Sequence, residues 1–116
     1  MLIERKPGIY EGRSKSSAYK DLVWTVATSL DTSLGIEQQT ELTLDTIQQN
    51  LIELGSDKSR IVSAQVYIAN MRDKPLMDSV WKKWIGTNSD NWPQRACLGV
   101  KLDGDVLIEV TVTAVK

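Results

Sequence analysis

The chain has 116 residues, 41% of them hydrophobic and 25% charged, and a net charge of −1. That balance describes one soluble domain over 1–116, able to fold without a metal or disulfide, and argues against non-specific nucleic-acid binding, which needs a basic face to displace counterions. One cysteine, Cys97, and no histidine exclude an intrachain disulfide, Ser-His and Cys-His nucleophile pairs and any His-containing zinc site, so acid–base chemistry falls to Asp, Glu, Lys, Tyr, Cys or water.

The opening "MLIERKPGIYEGR" has no apolar signal core, and no stretch approaches the roughly 18 apolar residues of a membrane span. A cytoplasmic protein with no membrane association is expected. Residues 2–5 suit a short edge strand stopped by Pro7-Gly8. Residues 9–19 are polar and suit a strand with one exposed face. Lys20-Asp21 make a turn, and "LVWTVAT" (22–28) is strongly β-prone. Leu44, Ile47, Leu51 and Leu54 recur at spacings of three and four, which predicts a helix over about residues 37–54 with Gly55 as its stop. In "RIVSAQVYIAN" (60–70) apolar residues alternate with Ser63, Gln65 and Tyr67, the period of a strand. Asp73 can cap a second helix carrying Met77, Val80, Trp81 and Trp84 and ended by Gly86. Strands over about 93–102 and 105–115 follow. The order β-β-β-α-β-α-β-β gives an α+β arrangement, a sheet with two helices packed on one face. The semi-polar other face, with Trp24 and Tyr67, suits a subunit interface.

The last two strands raise a question of register. A two-residue turn at Asp103-Gly104 sets Leu98 opposite Glu109. A three-residue loop, Leu102-Asp103-Gly104, with Gly104 in the left-handed region, sets Cys97 opposite Glu109 and Arg95 opposite Thr111. The second register gives one apolar face (Ala96, Leu98, Val100, Val106, Ile108, Val110, Val112) and one polar face. A bulged hairpin with Arg95, Cys97 and Glu109 on one face is therefore expected.

The stretch "PQRACLGVKLDGDVLIEVTVTAV" resembles the C-terminal signature of the reactive intermediate deaminase (Rid/YjgF) family. Its pattern is Pro-x-Arg-x-Cys or a small residue, apolar alternation, Leu, a short turn, then Val-x-Val/Ile-Glu-Ile/Val and Ala. Residues 43–86 resemble that family's helix, strand and aromatic-bearing second helix, and the resemblance covers about residues 40–115 and, more weakly, 14–28. The chain is identified by this resemblance as a divergent member. The resemblance implies a chorismate-mutase-like fold with a mixed sheet of about six strands, and a homotrimer with clefts between subunits. It also implies hydrolysis of reactive 2-imino acids or enamines, such as 2-aminoacrylate, to 2-keto acids and ammonia, with no metal or organic cofactor. By the same resemblance Arg95 binds the substrate carboxylate, a role suited to a planar two-donor guanidinium. Glu109 orients or activates water, Thr25 supplies the hydroxyl of the early strand, the family's asparagine is matched by Asn88 or Asn91 or replaced by Ser89, and Cys97 lines the cleft. Trp24 and Trp92 flank it and shape an apolar pocket. The family's glycine after the early strand is Val26 here, and its N-terminal tyrosine has no match near Gly12 and Arg13. These departures keep a second function open, a non-catalytic module that binds small carboxylates.

Overall fold

The computed structural model describes residues 2–116. Six strands and two helices follow the expected order: β1 (Glu4–Pro7), β2 (Ser14–Tyr19), β3 (Leu22–Thr28), α1 (Ile36–Glu53), β4 (Ile61–Ile68), α2 (Lys74–Ile85), β5 (Gln94–Gly99) and β6 (Ile108–Val115). The strands form one sheet in the order β1-β2-β3-β6-β4-β5. Only the β4–β5 pair is parallel. No helix among the described residues is long and apolar enough to cross a membrane.

Alternation decides which side of the sheet is covered. Ile108, Val110, Val112 and Ala114 of β6 are buried together with Ala64, Val66 and Ile68 of β4 and Val23 and Ala27 of β3. Their cover is Leu44, Ile47 and Leu51 of α1 and Met77, Val80 and Trp81 of α2. Each large aliphatic side chain removed from water in this way contributes about 1.5–3 kcal/mol. The helix stripe thus falls where the spacing predicts. α1 stops as Gly55 predicts: Gly55 takes φ 83°, its N–H donates to Ile52 O, and the Ser56 N–H donates to Leu51 O. This double bond closes the frayed end of a helix, and it needs a residue free to adopt positive φ.

The last two strands do not form a hairpin. β5 pairs in parallel with β4, and β6 lies between β3 and β4, antiparallel to both. β4 therefore sits between the two strands expected to be neighbours. The connection over residues 100–107 spans the end of β4, with the Val100 N–H donating to Ile68 O and the Ala69 N–H to Leu107 O. Gly104 has positive φ as expected, 54°, but within a wider loop. The physical reason is the length and regularity of β6, whose alternation supplies a buried row along two neighbours. A central place satisfies the backbone groups on both its edges and buries one complete face.

This pairing corrects the expected faces. Arg95 lies level with Ala64 and Cys97 with Val66, and Ala64 and Val66 lie level with Val112 and Val110. Arg95 and Cys97 therefore point to the helix side. Glu109 lies level with Tyr67 and Thr28 on the open side. The three residues do not share a face. In β5 the apolar set faces outward instead, with Leu98 52% and Val100 45% exposed.

Gln39 fixes the long loop. This fully buried α1 side chain donates from Nε2 to Leu34 O (3.0 Å) and Asp105 O (3.1 Å), while its Oε1 accepts from the Leu107 N–H (2.9 Å). One amide thus ties the first turn of α1 to the residues that lead into β6.

Candidate functional site

Arg95 is held on three sides, by an ion pair, a thioether and an aromatic ring. Its strand position aims it at α2, where Nη2 donates to Asp78 Oδ1 at 2.7 Å. Nη1 lies 3.8 Å from Met77 Sδ, and the guanidinium carbon stands 5.1 Å from the centre of the Trp81 ring. Asp78 Oδ2 accepts from Lys74 Nζ, also at 2.7 Å, one helical turn earlier. The Arg95 side chain keeps 18% of its surface exposed. A guanidinium has five N–H donors, so a single-point contact with Asp78 leaves donors for a second carboxylate. Stacking on Trp81 holds its plane still.

Burial works to raise the Asp78 carboxyl, but hydrogen bonds and charge from Lys74 and Arg95 outweigh it and hold the group below its ordinary 3.8. A carboxylate lowered in the folded state adds stability that is complete above its unfolded value and is lost as pH falls through the folded one. Urea midpoints measured across pH test this. The stability gap between wild type and Asp78→Asn is expected to hold steady above about pH 4 and to close below it. A gap unchanged down to pH 2 would contradict the assignment.

Cys97 is half-buried beside the same group. Burial pushes its thiol up, against the opposing pull of Arg95 and Lys74. It is therefore a neutral thiol at neutral pH, suited to lining a wall rather than to nucleophilic attack.

The other predicted site residues are dispersed. Glu109 is half-buried on the open side with Thr28 and Tyr67 in its row. Thr25 is on the helix side, 4% exposed. Its hydroxyl donates to Lys15 O and accepts from Ser16 Oγ at 2.8 Å and from Asn50 Nδ2 at 3.0 Å. A hydroxyl has one donor and two acceptor sites, so Thr25 has nothing left with which to orient water. Trp24 stands on the open side at a shallow depression of about 280 Å³, shared with Ser17, Val26, Gln65, Thr111 and Thr113. Asn88 caps a short turn by accepting from the Asp90 N–H, 3.1 Å. Trp92 is exposed and donates from Nε1 to Gly86 O, 2.9 Å.

The residues that sequence reasoning overlooked are Lys74 and Asp78. Their spacing of four on a helix is an ion-pair signal, and Asp78 directly follows Met77 of the predicted apolar stripe. What the spacing lacks is the third member, Arg95, brought in by the sheet.

Known proteins share both the sequence and this architecture. A family model described as endoribonuclease L-PSP matches residues 25–116. A RutC family protein of Haemophilus ducreyi is 38% identical over 85 residues, 72% of this chain and 71% of that one. A crystal structure of a YjgF family member from Neisseria meningitidis superposes with a TM-score of 0.90 at 28% identity, covering 100% of this chain and 96% of the other. A protein of Pseudomonas aeruginosa superposes at 0.89 with 26% identity, covering 99% of both chains. With the family model spanning most of the sequence and solved relatives spanning all of the fold, this chain belongs to the endoribonuclease L-PSP family, the Rid/YjgF family.

Proposed function

We propose that the protein hydrolyses small reactive 2-imino acids, and the enamines that tautomerise to them, to 2-keto acids and ammonia. The observation that carries the reading is Arg95: an oriented, largely desolvated guanidinium on the family's signature strand, with donors to spare. Arg95 takes the substrate carboxylate. Glu109 takes a proton from water as its oxygen adds to the imine carbon and passes it to the nitrogen, and the carbinolamine hydroxyl gives up its proton as the C–N bond breaks and ammonia leaves. The water hydroxyl becomes the keto oxygen, so no oxidant or cofactor enters the balance. The intrinsic reaction is fast, and orientation of water and stabilisation of charge suffice for catalysis.

Two adjustments follow from the geometry. Thr28, not Thr25, is the hydroxyl on the side and in the row of Glu109, so Thr28 is assigned to the water. Arg95 and Glu109 leave opposite faces of the sheet, so the cleft is completed by further copies of the chain, in a homotrimer. The margin around β5 supports this: β5 is an edge strand where Leu98, Val100, Trp92, Met71 and Leu76 are all exposed. A net charge of −1 and the scarcity of free cations around Arg95 weigh against RNA as the substrate.

The test is to generate 2-aminoacrylate in situ and follow pyruvate and ammonia. Wild-type protein is expected to accelerate their release above the spontaneous rate, and an unchanged rate would refute the proposal. The spent hydroxyl of Thr25 favours one second reading, carboxylate binding without turnover. That reading predicts a higher melting temperature with 2-keto acids and no acceleration.

A further inference from the structure

Resting on the assignment of Arg95 to the substrate carboxylate, we propose that Asp78 and Lys74 set the charge of the site and restrict it to monocarboxylates. Lys74, Asp78 and Arg95 form one continuous chain of contacts, each link 2.7 Å. Their formal charges are +1, −1 and +1, which leaves a single net positive charge for an incoming anion. The same three groups are the charges that act on the neighbouring Cys97 thiol, so they work on this locality as a unit.

Met77 and Trp81, both buried and apolar, also stand against the guanidinium. A ligand with one carboxylate neutralises the cluster. A second carboxylate on the same ligand would leave the cluster with excess negative charge: the Lys74 charge is already offset by Asp78, and the apolar walls offer no compensating hydrogen bond. Asp78 is thus a positioning and specificity residue. It holds the guanidinium over Trp81, and its negative charge offsets one of the two cations. The matching substrate class is the 2-oxo or 2-imino acid with an uncharged side chain.

The proposal makes a prediction opposite in sign to that for a merely structural ion pair. Asn at position 78 keeps an oxygen to accept from Arg95 Nη2 but removes the negative charge, raising the cluster from +1 to +2. Two near-isosteric probes separate the effects: 2-oxopentanoate, with one carboxylate, and 2-oxoglutarate, which carries a carboxylate in place of the terminal methyl. Dissociation constants are measured by calorimetry at low salt for wild type, Asp78→Asn, Lys74→Met and Arg95→Ala. Wild type is expected to bind 2-oxopentanoate more tightly than 2-oxoglutarate. Asp78→Asn should tighten both by about three- to tenfold, favouring 2-oxoglutarate, and Lys74→Met should weaken both by about the same factor, the size of one unit charge a few ångströms away at high effective dielectric. Both changes should shrink in 0.5 M salt.

If Arg95→Ala abolishes binding but Asp78→Asn leaves it unchanged or weaker, the charge-setting role is overturned and the role of Arg95 stands. Wild type that binds neither probe, or binding that survives Arg95→Ala, overturns both.

Discussion

Arg95→Ala is expected to lower kcat/KM for imine hydrolysis by about a hundred- to thousandfold, the usual effect of removing one oriented charged donor from a site. The loss should appear in KM as well as kcat, because the same group binds the ground-state carboxylate and orients the imine carbon for attack. The fold should survive: Asp78 keeps its contact with Lys74, so the substitution leaves no buried charge stranded. Arg95→Lys is expected to recover little. An ammonium cannot stack flat against Trp81, reach Asp78 and still present a planar pair of donors. Activity retained in Arg95→Ala, with circular dichroism unchanged, would remove arginine from the mechanism.

Gln39→Ala is expected to destabilise the protein by about 2–4 kcal/mol, the largest effect anticipated for a single polar side chain here. The amide makes three hydrogen bonds to backbone in a fully buried position. Truncation leaves the Leu107 N–H and two carbonyls without partners, and a buried unpaired group costs about 1–3 kcal/mol. The urea midpoint should drop with an unchanged slope. Gln39→Glu separates packing from bonding. Its second oxygen would face the carbonyls of Leu34 and Asp105, so it should be poorly tolerated at pH 7 and recover as the pH falls and the carboxyl protonates. A midpoint shift worth less than about 1 kcal/mol for Gln39→Ala would show that water replaces the amide.

Legibility in the sequence divides along one line. Features set by neighbours in sequence were readable: the apolar stripe of α1, its end at Gly55, the turn at Lys20 with its positive φ of 54°, and the alternation of β6. What was not readable was the neighbour of each strand. Alternation says which side chains of one strand share a face, but not which other strand lies beside it. A glycine turn between two apolar runs suggests a hairpin, and the insertion of β4 between β5 and β6 has no local signature. That insertion turned Arg95 and Cys97 to the helix side and Glu109 to the open side. The residue types of the candidate site were visible, while the Arg95–Asp78–Lys74 chain was not, because it joins β5 to a helix and only the pairing of β5 with β4 brings them together. The hydrogen bonding of Thr25 was hidden for a related reason: its hydroxyl accepts from Asn50, 25 positions away.

The placement of β6 also governs how the chain can acquire its structure during synthesis. β6 is the last strand in the order and yet divides the sheet, with β3 on one side and β4 on the other. Until residues 108–115 have cleared the ribosome, the nascent chain holds two fragments, β1-β2-β3 and β4-β5, each with an open edge and an uncovered apolar face. Neither fragment has the strand that joins them, and the helices have half a floor to pack upon. The native sheet cannot close before that strand is present, and until then the edges of β3 and β4 stand open to wrong pairing.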